Sequence, residues 1–201
     1  AQFARSIGTF GILGGMTLIP NSLVDVVGTL VVNPLKARFS NRTLLSMGLI
    51  CILISSLGLA LAPQSTNIWW LAGIGTFSGF GVGFIFVLLQ IKVQVDASEK
   101  NMAPATSLSY LIRILAQTVM AAVYGVIMNM ELARGVRENS GITMGMLNKL
   151  SDANSAKSLP QHLLPTMRNI FHLGLQEIMW CATALLVIAI VLNLVFNKKS
   201  K

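Results

Sequence analysis

Charge is scarce in this chain. Asp, Glu, Lys and Arg make up 11% of its residues, against about a quarter in soluble domains, which excludes a surface built to face water on all sides. Acid is scarcer than base, with 7 carboxylates against 15 Lys and Arg and a formal charge of +8. Cysteine and histidine number two each. Cys51 and Cys181 sit in apolar runs, where a thiol acts as a small apolar side chain. His162 and His172 have no Cys or acidic cluster beside them, which argues against a metal site. Ser, His and acid gather nowhere in a nucleophilic arrangement, so no enzyme is expected and no cofactor beyond a proton. No basic run is interleaved with aromatics, so no nucleic-acid partner is expected. There is no initiator Met and no charged-then-apolar signal segment at Ala1.

What the chain has is hydrophobic length. Hydrophobic residues make up 54% of it and the mean hydropathy is +0.70. Crossing a hydrocarbon core of about 30 Å takes about 20 apolar residues. Five runs qualify, 8–32, 44–62, 68–91, 105–130 and 173–196, with an outer loop at 131–170. The expected fold class is an all-α integral membrane protein whose first partner is the lipid bilayer.

Lys and Arg near span ends are retained on the cytoplasmic side. One side collects Lys36, Arg38, Arg42, Lys92, Lys100, Lys198, Lys199 and Lys201. The other has Arg5, then Arg134, Arg137, Lys149, Lys157 and Arg168 in one long loop, with Lys149 and Lys157 far from any span. A multi-pass protein of the cell membrane with a cytoplasmic C-terminus follows. An odd span count that opens in an outer loop points to a piece of a larger transporter-like chain.

The spans differ in kind. The second, LLSMGLICILISSLGLALA, has only Ser and Cys as polar residues and reads as a helix facing lipid on its outer side. The third carries Gly73, Gly75, Gly79, Gly81 and Gly83, which reads as close helix packing or a hinge. No GxGxxG spacing after a strand is present, which excludes a nucleotide loop. Trp69 and Trp70 at its outer end fit an interfacial aromatic belt. The loop is rich in Ser, Asn, Gly and Lys around Leu150 to Ser158 and reads as a mobile connection. The segment QHLLPTMRNIFHL could form an interfacial helix, and Glu177 reads as an exposed residue near the outer surface.

Polar residues fall on stripes. Thr17, Asn21, Ser22, Asp25, Thr29 and Asn33 recur at helical spacing along the first span, and Thr106, Tyr110, Arg113, Gln117 and Tyr124 along the fourth. Two such faces imply a wet cavity between the helices or a polar seam against a missing partner. Asp25 is the one acid in its run, and an ionisable group at that depth is a functional-site hypothesis. Asp25 lies nine residues from Pro34 and Arg113 nine from Pro104, each about 13–14 Å along its helix. Equal depth lets them pair. Three readings stay open: a pair that only locks two helices, an Arg113 that snorkels inward toward the headgroups, and a pair that exchanges partners during transport, since a guanidinium near a buried carboxyl governs whether it holds a proton.

Three segments resemble the major facilitator superfamily. PLKARFSNRTLL resembles the degenerate second copy of its loop signature, G-x-x-x-D-R, with Ala37 in place of Gly, Asn41 in place of Asp, and Arg42 kept. SLSYLIRILAQT resembles the S-x-x-N-x-x-R-Q-x-G-G-S pattern of the fourteen-span drug:proton antiporter branch, with Arg113 kept, Tyr110 for Asn, and Ala116 and Gln117 for the two Gly. SGFGVGFIF resembles that branch's G-x-G-x-G-x-x-F segment. The resemblance implies most of a C-terminal six-helix half, with the N-terminal half of the transporter missing. It also places the first, third and fourth spans by the central cavity or the interface between halves, and the second and fifth outside.

By the same resemblance Arg38, Asn41 and Arg42 belong to an inner gating loop, weakened because Asn41 cannot form the ion pair an Asp would. The expected function is proton-coupled export of a small amphipathic substrate by alternating access. Asp25 would bind the proton or a cationic substrate and Arg113 would modulate its charge. Asn21, Gln90, Gln117 and Tyr110 would line the path. A membrane-embedded scaffold without transport and proton-coupled nutrient uptake are the competing readings.

Overall fold

A computed structural model describes residues 16, 18–150 and 159–196. Helices form where the apolar runs fall: α1 (Leu18–Lys36), α2 (Asn41–Ala60), α3 (Ile68–Asp96), α4 (Met102–Glu138), α5 (Met144–Leu150) and α6 (Leu164–Phe196), with a 3₁₀ turn at Glu99–Asn101 before α4. No strand occurs among the described residues. All but α5 of these helices are long and apolar enough to cross a membrane.

Local chemistry sets the helix ends. The Ser40 hydroxyl accepts from the Thr43 amide at 3.3 Å and starts α2, and the Asn67 side chain accepts from the Trp69 amide at 3.1 Å and starts α3. Each satisfies one of the amide groups that a first turn leaves open. Pro104 and Pro165 lie in the first turns of α4 and α6, where a missing N–H costs nothing. Pro34 lies near the end of α1, which stops two residues later. After α4 the chain reverses through Gly141, whose φ of 94° favours glycine.

α3 is the hub. Its glycines Gly79 and Gly83 lie against the backbone oxygens of Asn21 and Asp25 on α1, and a Cβ on Gly28 of α1 would come within 2.6 Å of the Phe80 carbonyl oxygen. Around the helix from there, Gly81 meets α2, where a Cβ would sit 2.7 Å from the Gly48 oxygen. Val82, Phe86 and Leu89 face α4. Close approach of backbones through small residues is how membrane helices gain packing energy when lipid is as apolar as their side chains. Gly73 and Gly75 have open space where a Cβ would go, so the close packing expected of the glycine cluster holds for its second half alone.

A second seam, of hydrogen bonds, joins α2 to α6. From one end to the other, Arg42 donates to the Leu194 carbonyl at 2.7 Å, Asn193 donates to the Ser46 hydroxyl at 2.9 Å, and Ser56 shares a hydrogen bond of 3.0 Å with Thr183. Gln176 donates to the Ala60 and Ala62 carbonyls at 3.1 and 3.0 Å, and His172 lies 2.8 Å from the Ala62 oxygen. The last two contacts fill carbonyls that the end of α2 leaves open. The second span is therefore two-sided: Met47, Ile50, Ile54 and Leu61 are exposed as its sequence suggests, while Ser55 and Ser56 are buried.

α4 has 37 residues and α6 has 33, about 55 and 50 Å at 1.5 Å per residue, well beyond a core of about 30 Å. Their surplus length gathers at one end with α5. Leu132, Ile142, Leu147, Leu150, Met167, Ile170 and Phe171 form a buried cluster there. This corrects the expected layout. The spans read as 105–130 and 173–196 extend to 102–138 and 164–196, so much of the loop read as 131–170 is helical, and the expected interfacial helix is the first turns of α6. The reading of Ser151 to Ser158 as a mobile connection, together with Arg5, Thr17, Lys157 and the final lysines, lies outside the described residues.

Gly28→Ala is expected to destabilise the protein by about 1–3 kcal/mol, because the added methyl meets a backbone carbonyl that has nowhere to move. Gly73→Ala, which meets nothing, should leave the thermal midpoint in detergent unchanged or slightly raised. Equal midpoints for the two variants would show that α1 is not held by this approach. On the other seam, Asn193→Leu removes the amide that donates to the Ser46 hydroxyl and to the Arg42 carbonyl, a loss of about 1–2 kcal/mol that the same melting experiment reads.

Candidate functional site

Between α3 and α4 lies a cleft of about 390 Å³. Its walls are apolar for the most part, with Ile52, Val82, Ile85, Phe86, Leu89, Ile112 and Ala116, and four polar residues open into it: Gln90, Ser109, Arg113 and Gln117. The volume and the lining suit a small amphipathic molecule. Arg113 carries the one charge among the lining residues.

The helical repeat of α4 makes this possible. Ser109, Ile112, Arg113, Ala116 and Gln117 recur at steps of three and four and so share the face turned to α3. The Arg113 guanidinium carbon lies 3.8 Å from the Phe86 ring centroid and 4.3 Å from that of Tyr110, its own neighbour one turn earlier. Both rings present their π faces to a delocalised cation. They hold the side chain in the cleft without neutralising it.

Asp25 lies elsewhere. Its carboxylate is in the seam between α1 and α3, beside Gly83, and its Oδ1 is buried with no hydrogen-bond partner. Asn21 lies one turn along the same seam against Gly79. The equal-depth argument and the pairing argument therefore part company. Gly83 and Phe86 are three residues apart on α3, about 4.5 Å along the axis, so Asp25 and Arg113 do sit at neighbouring levels. They make no ion pair, because α1 and α4 dock on different faces of α3. Arg134 on α4 does form ion pairs, with Glu131 and Glu138 of the same helix.

The expected site thus divides in two. Gln90, Arg113 and Gln117 come together in the cleft with Tyr110 at its edge, while Asn21 and Asp25 form a separate polar patch in the glycine seam. The wet cavity expected between the first and fourth spans has α3 in its place. Thr29 turns its hydroxyl to its own helix, donating to the Val26 carbonyl at 2.7 Å, and Ser22 and Asn33 are exposed. On the loop, Arg38 is exposed and Asn41 is the half-buried first residue of α2. Arg42 reaches the last turn of α6, where a cation also meets the negative end of the helix dipole.

Sequence reasoning missed Phe86 as the platform under Arg113 and missed the α2–α6 seam. A signal for the seam exists. Ser46 and Ser56 are separated by the same ten residues as Thr183 and Asn193, in reverse order, as two antiparallel helices bonded at both points require.

The fold and its cleft define an all-helical, multi-pass membrane protein. Over 120 residues, 60% of the chain, the sequence is 27% identical to Multidrug resistance protein 3 of Bacillus subtilis (strain 168). The matched stretch is 23% of that protein, so the chain corresponds to a minor part of its relative's length. No protein-family model matches the chain, and no solved structure matches it.

If the cleft is open to water, Gln117→Cys should be labelled by a membrane-impermeant thiol reagent in a background where Cys51 and Cys181 are replaced. Ser55→Cys, buried between helices, should stay unlabelled. Equal labelling of the two would mean that the cleft is closed by packing.

Proposed function

We propose that this chain is part of a proton-coupled secondary transporter that exports small amphipathic molecules by alternating access, and that it forms most of the C-terminal half of a major facilitator fold. The carrying observation is the α3–α4 cleft, apolar with convergent amide, hydroxyl and guanidinium groups at membrane depth. Such groups are expensive in a bilayer and mark pathways when they face a cavity. The similarity to a protein named for multidrug resistance supports the same reading, as do the three sequence segments that resemble the antiporter branch.

In this mechanism the substrate occupies the cleft and its passage is driven by a proton carried on Asp25. Burial of Oδ1 without a donor makes the seam sensitive to the state of that carboxyl, since a buried charge without a partner is far costlier than a neutral group. Proton uptake and release at Asp25 would shift α1 against α3, and α3 forms one wall of the cleft. Arg42, bonded to the end of α6, would latch the Lys36-side ends of the helices in one of the two states. The membrane would be the cell membrane, the Lys36-side ends and the C-terminus cytoplasmic, and the remainder of the transporter the partner of the exposed helix faces. The proton is the one coupling ion, and no cofactor or catalytic step is assigned.

The test is transport by the intact protein in membrane vesicles with an imposed pH gradient, using fluorescent amphipaths of positive, zero and negative charge. Asp25→Asn at equal protein abundance is expected to abolish the gradient dependence for every dye that the native protein moves. Undiminished gradient-driven transport would remove Asp25 from coupling. Accumulation in the opposite direction would make the protein an importer, and no movement of any dye would favour a scaffold.

A further inference from the structure

We infer that the α3–α4 cleft binds an amphipathic organic anion, its carboxylate, sulfonate or phosphate held by Arg113 and its apolar body laid along Ile85, Leu89 and Ile112. This rests on the reading of the cleft as a transport site and assigns that site its substrate class.

The argument is one of charge and geometry. No Asp or Glu lines the cleft, so nothing there compensates a cationic guest, and the nearby carboxylate, Asp25, is turned into the seam on another face of α3. Arg113 has its guanidinium over two aromatic rings, and no carboxylate or carbonyl meets its N–H groups among the described residues. A guanidinium carries five N–H donors in its plane, a fork that fits an oxyanion. Rings engage the faces and leave the edge. An unpaired cation at membrane depth is a large electrostatic cost, and an anionic head group that arrives with its own hydrocarbon body removes it. Gln90 and Gln117 supply amide donors to the same guest.

Two sources share this chemistry: a soluble organic acid that partitions into the membrane, and an anionic lipid. The experiment is equilibrium binding of radiolabelled 1-naphthaleneacetate to the intact protein in nanodiscs of zwitterionic lipid, without any gradient. Naphthylmethylammonium and naphthylethanol, of similar size but positive and neutral, serve as competitors. We expect saturable binding that the unlabelled anion displaces about tenfold or more better than either competitor, as a charged hydrogen bond implies. Arg113→Gln should lose the binding and Arg113→Lys, a point charge without the fork, should keep part of it. Adding phosphatidylglycerol to the discs separates the sources. Strong competition assigns the anion site to lipid and none assigns it to a soluble acid, and both keep the anion class.

Displacement by the cation as good as by the anion overturns the inference, and so does the absence of saturable anion binding to the native protein. Because neither result depends on a variant, a misfolded Arg113→Gln leaves the test intact. Loss of anion binding while gradient-driven transport of some other dye persists would sink this assignment and leave the transporter reading standing. Loss of both would sink both.

Discussion

The close approach of backbones at Gly79, Gly81 and Gly83 is the constraint on which the rest of this structure depends. With no hydrophobic drive between helices in lipid, association comes from packing and hydrogen bonds, and packing is best where side chains do not hold the backbones apart. Alternating glycines on one helix present two such surfaces, because residues two apart on an α-helix lie about 200° around its axis. Gly79 and Gly83 receive α1 and Gly81 receives α2. The third face, of Val82, Phe86 and Leu89, is bulky by comparison, and α4 stands further off there. The cleft exists because the glycines stop repeating on that side.

The α2–α6 seam works by the other available means. Its hydrogen bonds run the length of both helices, from Arg42 and Leu194 at one end to His172 and Ala62 at the other. Each contributes about 0.6–2 kcal/mol in a membrane, and each is directional, so together they fix register as well as contact. α6 in turn holds α4 through the outlying cluster of Leu132, Met167, Ile170 and Phe171. α4 is thus anchored at its far end and comparatively free beside α3, an arrangement that allows the cleft to change width without breaking the bundle.

Much of this was legible in the sequence. Composition and run length gave the helical membrane class, and the glycine spacing pointed to close approach. The polar step of three and four along the fourth span put Arg113 and Gln117 on one face, where the structure has them. What failed was one of the two readings of the polar stripes, a cavity between their helices, because α3 lies there. Periodicity says which residues of one helix share a face, and nothing about which neighbour that face meets. Asp25 and Arg113 lie at neighbouring levels, as counting from the prolines suggested, but azimuth around α3 is set by long-range packing that no single helix encodes. Ser46, Ser56, Thr183 and Asn193 were passed over because isolated small polar residues in apolar runs look unremarkable until two helices are aligned. The helices run past the expected span ends at Met130 and Leu173 for a different reason. Apolar length marks where lipid ends, while helix length follows from protein packing beyond it.

The separation of Asp25 from Arg113 constrains any coupling mechanism for this protein. A direct exchange, in which the guanidinium releases the carboxylate to be protonated, requires the two to meet, and they occupy different faces of α3. On the proposed reading, communication has to pass through α3 itself. That helix is suited to it, since Gly83 takes the Asp25 backbone on one face and Phe86, one turn on, carries Arg113 on another. A shift of α1 at the glycine seam displaces α3 as a body, because the two backbones meet directly and no flexible side chains lie between them to absorb the movement. The Phe86 ring then moves relative to Arg113, changing how far the guanidinium edge projects into the cleft. Proton occupancy on one side of the hub and anion affinity on the other are linked in this scheme by a helix translation, and linkage of that kind is reciprocal. An anion seated on Arg113 would alter proton binding at Asp25 by the same factor.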